Sequence, residues 1–561
     1  MLRSSRASTY ISGQCCAAYS FILSKSNYVQ LPLEAAAMAY NLPAILYRLE
    51  SSLIALDACK LVGLDIRPDL AIEAFTKDSD NTDEHDQEPL NFQAGMGKNY
   101  ERLEFLGDSF LKMATTVSLY TLIPDRNEFD YHVERMCLIC NKNLFNNALE
   151  LNLQEYIRSK AFSRRTWYPD NLEQISGKKA EAKKNKNTHV LADKSIADVC
   201  EALIGAAYMT AREKNDFDLA VRAVSVVVND KNHRMKSWGE YYAAYVKPDW
   251  QTGTVSAAQL DLAEKIKAKM GYGFNYPRLL RCAFRHPSYP HHYENLPSYQ
   301  RLEFLGDALL DMAIVDYLYL KYPTKDPQWL TEHKMAIVSN QFLGCLAVSL
   351  GFHKHMLSFH SVLQKQVMEY VRDITEAKEE AQEEAQRTKE AFAWDYWVNV
   401  THPPKCLADL VESYIGAIFV DSEYDYSQVQ AFFDRHVLPY FGDMSIYDTF
   451  ANKHPVTFCS NILGQTFHCN GWGVQIQEVP VTEGEGLVTG ATKVVAGFMI
   501  HGQVVGHGVS ESGRYAKVYA AKEALKKLQS MTISEFRSVF KCSCIPEDTT
   551  ADDVLDHATA V

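Results

Sequence analysis

Two pairs of acidic residues stand at helical spacing among apolar residues. Glu104 and Asp108 are four residues apart, and Asp198 and Glu201 are three apart, so each pair projects from one face of a helix. Four carboxylates meeting among core residues require a divalent cation to neutralise them. Hard oxygen ligands suit Mg²⁺ or Mn²⁺, and two such ions per site would support hydrolysis of a phosphodiester. The alternative is a set of helix-surface acids paired with Lys or Arg.

The same arrangement occurs a second time in the chain. The string RLEFLGD around Glu104 recurs around Glu303, at an offset of 199 residues, and the segments 194–206 and 405–417 match at an offset of 211. Retention of all four acids in two otherwise different copies favours the metal site. The acids of the second copy are Glu303, Asp307, Asp409 and Glu412.

Two further residue types are retained in both copies. Gly107 and Gly306 each precede an acid in a helical run, and we expect them to allow close approach of a neighbouring helix. Lys194 and Lys405 lie four residues before the second acid pair. They are candidates for stabilising phosphate charge or holding a carboxylate, and a purely structural ion pair is the alternative.

Helices must position these residues. Windows such as LEFLGDALLDMAIVDYLYLKY keep apolar residues at i, i+3, i+4 and i+7, so each copy reads as an all-α domain. After about residue 450 the order becomes αβββα, a small α+β domain. The sequence predicts a mainly α chain. Its predicted segments are a leader (1–33), two helical domains (40–215 and 257–440), a connector (216–256), the α+β domain (451–545) and an acidic tail (546–561).

Composition limits the class of protein. The chain has 561 residues, of which 47% are hydrophobic and 23% charged, as in globular proteins, and we find no apolar run long enough to span a membrane. Thirteen scattered cysteines predict reduced thiols and an intracellular location, in the cytoplasm or nucleus. The leader has the composition of an organelle transit peptide, or is a disordered leader. The net charge of -13 is unusual for a nucleic-acid-binding protein, but residues 158–186 are basic.

The α+β domain carries a candidate zinc site. In an αβββα layout, three segments lie at one edge of the sheet: the start of the first strand, the turn between the second and third strands, and the end of the last helix. Side chains from all three can therefore converge. Thiolates with one imidazole are a tetrahedral Zn²⁺ set. His507 is the rival histidine, Cys459 is expected in the core, and free cysteines are the alternative. The predicted ligands are Cys469, His501, Cys542 and Cys544.

Several ordered motifs resemble one known family. RLEFLGD, the downstream AD-x-x-E element and FRHPSY (284–289) are similar to the ribonuclease III signature. Two such domains followed by a double-stranded-RNA-binding-like module resemble the C-terminal half of Dicer, most closely the Dicer-like proteins of filamentous fungi. The resemblance covers roughly residues 40–545.

The resemblance implies a function and its parts. The two domains would pair as an intramolecular pseudo-dimer in a monomeric chain, each cutting one strand of double-stranded RNA, with 5′-phosphates and short 3′ overhangs on the products. The eight acids would be metal ligands, a Cys-His-Cys-Cys zinc site is known in the fungal proteins, and Argonaute or other silencing proteins would be partners. The alternatives are processing of ribosomal or small nuclear RNA precursors, and a non-catalytic double-stranded-RNA-binding scaffold.

The chain departs from the family pattern in three places. The first copy lacks the His-Pro-Ser element and has a longer loop there. In the α+β domain, Arg514 and Lys517 stand where family members contact phosphate, but Asn461 and Gly513 replace expected residues, which weakens the expectation of duplex binding. A full Dicer has helicase and PAZ domains upstream, so we expect no built-in ruler unless the chain is part of a longer protein.

Overall fold

The fold is taken from a computed structural model. It describes residues 19–22, 28–77, 92–93, 97–123, 126–159, 162, 167, 191–214, 216–389, 392–400, 402–447, 450, 455–483, 486–510, 513–529 and 531–544. The predicted acidic tail, the long loop of the first copy, and most of the leader and of the basic stretch lie outside these residues. None of the described helices combines the length and hydropathy that a membrane crossing requires.

The chain divides into two compact units. The first consists of Met1–Leu330, Asn340–Glu380 and Val400–Pro439, and the second of Thr331–Ser339, Ala381–Asn399 and Tyr440–Val561. Both copies of RLEFLGD lie in the first unit and the α+β domain lies in the second. The predicted fold class, mainly α with a small α+β domain, is confirmed.

The described residues up to 256 are mainly helical, with two short hairpins. The hairpins pair β1 (Tyr19–Ile22) with β2 (Tyr28–Leu31) and β3 (Phe92–Gln93) with β4 (Gly97–Lys98). The main helices are α1 (Leu33–Leu61), α2 (Pro68–Ala74), α3 (Glu101–Leu122), α4 (Glu128–Ile139), α5 (Asn141–Glu150), α6 (Asp193–Ala211), α7 (Asp218–Val228), α8 (Trp238–Ala244) and α9 (Asp249–Thr252).

The segment 216–256, which the sequence treats as a connector, contains the helices α7, α8 and α9. Helix α7 packs against α6. The Trp238 indole nitrogen donates a hydrogen bond to the Tyr424 carbonyl oxygen at 3.1 Å, and Phe217 contacts the Tyr426 ring edge-on. This segment therefore packs against both copies.

The second copy repeats the helical plan. Local signals fix several helix ends, including a capping box formed by Ser256 and Gln259 and a left-handed Gly271 after the same helix. Residues 376–388 of the acidic stretch belong to the long helix α15 (Ser361–Thr388). The main helices are α10 (Ala257–Met270), α11 (Pro277–Ala283), α12 (Gln300–Lys321), α13 (Pro327–Ile337), α14 (Asn340–Ser349), α15 (Ser361–Thr388), α16 (Lys405–Asp421) and α17 (Tyr426–Phe432).

The core of the first unit is built on four long apolar helices. Helix α3 packs against α6, α12 packs against α16, and α3 packs against α12. Their inward faces are almost wholly buried, from Leu103 to Tyr120 in α3 and from Leu302 to Leu318 in α12. The two copies are thus joined through the same helices that carry the RLEFLGD strings.

The second unit contains the α+β domain. An antiparallel sheet of order β5 (Trp472–Glu483), β6 (Gly486–Ile500) and β7 (Gln503–Ser510) packs against α19 (Gly513–Leu528), and α18 (Pro455–Asn461) precedes the sheet. One more helix than the αβββα pattern predicts, α20 (Ile533–Phe540), follows α19. A capping box of Thr532 and Glu535 starts it. Its Phe536 ring stacks on Phe467, which closes the core.

Candidate active sites and a candidate metal centre

Glycine permits the two helix crossings that form the candidate sites. A Cβ on Gly107 would overlap the carbonyl oxygen of Glu201 and lie 2.7 Å from its carbonyl carbon, so α3 and α6 touch backbone to backbone. A Cβ on Gly306 would overlap the Glu412 carbonyl in the same way, at 2.6 Å from the carbon. The predicted close approach is confirmed in both copies, and it brings the backbone of one acid pair directly against the other.

The first site contains three clustered carboxylates. One oxygen from each of Glu104, Asp198 and Glu201 lies within 4.8 Å of the others. The Lys194 ammonium bridges two of them, at 2.8 Å from Asp198 Oδ1 and 3.5 Å from Glu104 Oε1. Asp108 is exposed, and its charge helps to raise the pKa of Glu201, which places it beside the cluster.

The second site repeats this arrangement with shorter contacts. Oxygens of Glu303, Asp409 and Glu412 lie within 4.8 Å of one another. Lys405 Nζ lies 2.6 Å from Glu303 Oε1 and 2.7 Å from Asp409 Oδ1. The charge of Asp307 helps to raise the pKa of Glu412. The structure therefore brings together the predicted acids and the predicted lysine in each copy.

The pKa values of the glutamates in both sites are raised by burial and by their carboxylate neighbours. Burial, followed by the neighbouring carboxylates, raises the pKa of Glu104 to about 7, of Glu303 to about 8 and of Glu201 to about 9. The same causes raise the pKa of Glu412 well above its usual range. A single lysine contacts the three clustered carboxylates of each site and does not neutralise them, and a divalent cation would suit such a cluster.

Two tyrosines donate hydrogen bonds to aspartates of the sites, and neither was predicted from the sequence. The Tyr299 hydroxyl donates to Asp409 Oδ2 at 2.8 Å, and the Tyr100 hydroxyl donates to Asp198 Oδ2 at 3.4 Å. Each tyrosine is the residue just before the helix that carries RLEFLGD. The signal was present in the sequence, since Tyr100 and Tyr299 are related by the same offset of 199 residues.

The second site is also contacted by a residue of the first copy. Lys112 of α3 places its ammonium 3.0 Å from Asp307 Oδ2. Burial disfavours the charge on Lys112, but the carboxylates of Asp311 and Asp307 outweigh it and raise the pKa of the lysine. The ammonium is therefore charged at neutral pH. This contact between the copies was not predicted.

The two copies face each other as a pseudo-twofold pair. The Arg102 guanidinium lies 4.7 Å from the centroid of the Tyr319 ring, and Arg301 lies 5.2 Å from the centroid of the Tyr120 ring. Both arginines, and both tyrosines, are related by the offset of 199 residues, so the contacts are reciprocal. The expected intramolecular pairing of the two helical domains is confirmed.

The second unit brings four predicted zinc ligands together. Cys469 Sγ lies 3.3 Å from His501 Nε2, and Cys544 Sγ lies 3.7 Å from the same nitrogen. Cys542 completes a group whose ligand atoms all lie within 4.8 Å of one another. Ligands bound to tetrahedral zinc stand about 3.3–3.8 Å apart. The donor set and its spacing fit zinc.

Three local features position these ligands. His501 and Gly502 both have positive φ, of 46° and 76°, and form the tight turn between β6 and β7. Gly471 leaves room for the imidazole, because a Cβ there would lie 2.6 Å from His501 Nδ1. After α20, Lys541 adopts the left-handed conformation with φ of 50°, which turns the chain so that Cys542 follows at the edge of the sheet.

The rival residues have other roles in the structure. His507 lies in β7, and its Nδ1 is 2.7 Å from Glu523 Oε2. Cys459 is fully buried in the core of the second unit, as expected. Arg514 and Lys517 lie in the first two turns of α19, where the sequence places them, and Lys517 is partly exposed.

Comparison with known protein families identifies three domains in the chain. The profile of the ribonuclease III domain matches residues 101–212 and 300–423, and that of a dsRNA binding domain matches 447–530. The chain therefore contains two ribonuclease III domains followed by a dsRNA-binding domain.

Among individual proteins, the chain is similar to Dicer-like protein 1 of filamentous fungi. It is 57% identical to the Neurospora crassa protein and 57% identical to the Cryphonectria parasitica protein, in each case over 96% of this chain and 36% of the relative. The chain thus spans about a third of the length of these relatives.

Solved structures of related proteins align with parts of the chain. Dicer from Giardia intestinalis aligns over 61% of this chain and 55% of its own, at 17% identity and a TM-score of 0.32. The nuclease domain of ribonuclease III from Campylobacter jejuni aligns over 32% of this chain and 96% of its own, at 24% identity and a TM-score of 0.22.

Proposed function

We propose that the chain is a divalent-metal-dependent endoribonuclease that cleaves double-stranded RNA, with each ribonuclease III domain cutting one strand. The observation that carries the proposal is the presence of two equivalent clusters of buried and half-buried carboxylates, held by equivalent helix crossings on a pseudo-twofold pair. A duplex has two antiparallel strands related by the same kind of symmetry. Two sites on one paired unit suit a substrate with two scissile strands.

The residues of each site fit Mg²⁺ or Mn²⁺. All the clustered donors are carboxylate oxygens, which these hard cations prefer. Neighbouring carboxylates also help to raise the pKa values of Glu201 and Glu303, and a bound cation would relieve this repulsion. When bound, two such ions supply activation of the attacking water and stabilisation of the departing oxygen.

The chain's own groups orient this chemistry. Lys405 contacts both Glu303 and Asp409, and the Tyr299 hydroxyl donates to the second oxygen of Asp409. In the first site, Lys194 lies 2.8 Å from Asp198 and 3.5 Å from Glu104, and the Tyr100 hydroxyl lies 3.4 Å from Asp198. We assign the lysines to holding these carboxylates, since both lie at charge-assisted hydrogen-bonding distance from the aspartate of their site.

We further propose that Cys469, His501, Cys542 and Cys544 hold a structural zinc ion. The cluster joins the start of β5, the turn before β7 and the segment after α20, so it fastens three distant parts of one small domain. A closed set of four protein ligands is typical of structural rather than catalytic zinc. Arg514 and Lys517 are the proposed phosphate contacts of this domain.

The biological setting is proposed from the relatives. The relatives are named Dicer-like protein 1. From this likeness we propose that the chain produces short RNA duplexes, with 5′-phosphates and short 3′ overhangs, in RNA silencing. A silencing role would make Argonaute a recipient of the products. Processing of ribosomal or small nuclear RNA precursors uses the same chemistry, and sequencing of small RNAs after gene deletion separates the two roles.

The test uses long duplex RNA with a different label on each strand. Glu104→Gln should abolish cutting of one strand, and Glu303→Gln cutting of the other, while the exposed Glu150→Gln at the end of α5 leaves both cuts intact. A chelator should stop both. If either single substitution abolishes both cuts, the assignment of one strand per domain is wrong; if neither reduces any cut, the carboxylate sites are not the nuclease.

A further inference from the structure

A cavity of about 120 Å³ lies in the second ribonuclease III domain and shares no lining residue with the carboxylate cluster. It is formed by the end of α10, by α16, and by α17 with the turn of π-helix that follows it (Phe433–Val437). Gly271 and Arg435 are exposed where the cavity opens, whereas Tyr414 and Phe432 are buried. Because π-helical turns are rare and occur frequently at functional sites, the cavity is a candidate binding site.

The cavity is lined by a tyrosine whose buried hydroxyl has no partner. Tyr414 is fully buried, and none of the described residues forms a hydrogen bond with its hydroxyl. Such an unpaired group is costly, and the corresponding residue of the first copy, at the offset of 211 residues, is Leu203. The hydroxyl of Tyr272, which also lines the cavity, donates to Asp421 Oδ2 at 2.9 Å. Tyr414 is thus the tyrosine of the cavity whose hydroxyl is available to a ligand.

The walls of the cavity suit a flat ring. Tyr272, Tyr414, Phe432 and His436 all line it, and the centroid of the Phe432 ring lies 5.8 Å from that of Tyr414 and 5.1 Å from that of His436. An apolar cavity of about 150 Å³ holds one benzene molecule, so this cavity has room for a single six-membered ring and not for two fused rings. Unpaired bases of nucleic acids stack on aromatic side chains of this kind.

Two cations beside the cavity carry positive charge in excess of their contacts. Arg435 Nη1 donates to the Met270 carbonyl oxygen at 3.1 Å, and Lys269 Nζ donates to the Ser349 carbonyl oxygen at 3.4 Å, at the ends of α10 and α14. In the part of the chain that the structure describes, neither cation forms a salt bridge with a carboxylate. Burial and then these two charges lower the pKa of His436 to about 4, so its imidazole is neutral. A full charge exceeds the partial charge of a helix end, which favours an anionic ligand.

We propose that the cavity binds a pyrimidine nucleotide. The base occupies the cavity and accepts a hydrogen bond from the Tyr414 hydroxyl through a carbonyl oxygen of its ring, and the phosphate lies on Arg435 and Lys269. One ligand thus uses the ring-sized space, the unpaired hydroxyl and the excess positive charge. The nucleotide is either free or part of a single-stranded RNA segment, since both present the same base and phosphate. The inference does not depend on the proposed nuclease sites, because it uses none of their residues.

The experiment measures binding of uridine 5′-monophosphate to the full chain by equilibrium dialysis, with a chelator present so that no cation at the carboxylate sites binds the phosphate. Tyr414→Phe should weaken binding by about threefold to tenfold, through loss of one hydrogen bond. Arg435→Gln should weaken it by about tenfold, through loss of a charge-assisted contact. Adenosine 5′-monophosphate should bind about tenfold more weakly than the uridine nucleotide, because its fused rings overpack the cavity.

Two control variants match these substitutions. Tyr370→Phe removes a buried hydroxyl that donates to the Gln341 carbonyl oxygen at 3.2 Å, and Lys365→Gln removes an exposed charge from α15. Both should leave nucleotide binding unchanged. Circular dichroism checks that each variant is folded, and Arg435→Lys replaces Arg435→Gln if the latter fails to fold.

Inorganic phosphate and uridine separate the two parts of the ligand. Arg435→Gln should weaken competition by phosphate and leave competition by uridine nearly unchanged, whereas Tyr414→Phe should do the reverse. The proposal is overturned if uridine 5′-monophosphate does not bind, if Tyr414→Phe binds it as tightly as the parent chain, or if the adenosine nucleotide binds equally well. A 5′-phosphorylated uridine tetranucleotide distinguishes the sources: displacement of the mononucleotide assigns the cavity to an RNA strand, and failure to displace it assigns the cavity to a free nucleotide.

Discussion

Replacement of Gly107 by alanine tests whether the helix crossing, rather than the acids alone, makes the first site. The added methyl group would overlap the Glu201 carbonyl oxygen, and a second backbone atom, Gly205 N, lies 2.8 Å away. Backbone cannot rotate aside as a side chain does. Helices α3 and α6 would therefore have to separate by about 1.5 Å before the methyl reaches ordinary van der Waals contact.

The expected effect is a net loss of about 2 kcal/mol in the free energy of unfolding. The methyl group collides only with backbone atoms, so the free-energy cost of overpacking should lie at the upper end of its usual range, about 3 kcal/mol. Alanine returns about 1 kcal/mol through its better helix propensity. For a domain of this size the midpoint of thermal unfolding should fall by about 4–8 °C, followed by far-ultraviolet circular dichroism.

The substitution should affect metal binding at the first site more than it affects the stability of the fold. Glu104 and Asp108 move with α3 while Asp198 and Glu201 move with α6, so the separation opens the cluster and should weaken Mn²⁺ binding at the first site by tenfold or more. The matched control is Gly239→Ala in α8, where an added Cβ meets nothing within 4 Å. It should leave both measurements unchanged or raise the melting temperature slightly. Equal behaviour of the two variants would refute the reasoning.

Three further predictions follow from the contacts around the sites. Tyr299→Phe should weaken Mn²⁺ binding at the second site by about threefold to tenfold and Tyr100→Phe should affect the first site less, since their hydrogen bonds measure 2.8 Å and 3.4 Å. Gly471→Ala should displace the His501 imidazole and reduce bound zinc, measured by elemental analysis, whereas Gly473→Ala, with open space around it, should not. The metal-free chain should lose stability as pH rises from about 4.5 through the raised glutamate pKa values of about 7 to about 9, because the folded state keeps protons that the unfolded state releases. Saturating Mg²⁺ should remove most of this loss of stability. A melting temperature that does not change with pH would contradict the prediction.

Most residues of the candidate sites could be predicted from the sequence, because the sites are built on repeats and helical spacing. Acidic residues at i and i+4 must lie on the same face of a helix. A glycine before an acid in an apolar helix indicates close approach of a neighbouring helix. The zinc ligands were placed by the αβββα order, since topology decides which loops share an edge. Helix α20 was missed, although Thr532 and Glu535 stand at capping-box spacing before it.

Contacts across the pair could not be read in the same way. The Lys112 contact with Asp307 joins residues 195 positions apart and depends on how α3 crosses α12, which periodicity does not specify. Tyr100 and Tyr299 lie before their helices begin, outside any periodic pattern. The segment 216–256 looked like a connector because its helices are short, yet it is fixed by aromatic contacts such as that of Trp238 with Tyr426.

The charges at the centre of the pair also decide which copies can pair. Lys112 and Asp311 occupy the same position in the two copies and lie 3.9 Å apart where α3 meets α12. Two first copies meeting in this way would set lysine against lysine, and two second copies would set one buried aspartate against another. Both like-charged assemblies are disfavoured, so the two descendants of the duplicated domain are no longer interchangeable and each is fitted to its unlike neighbour in the same chain.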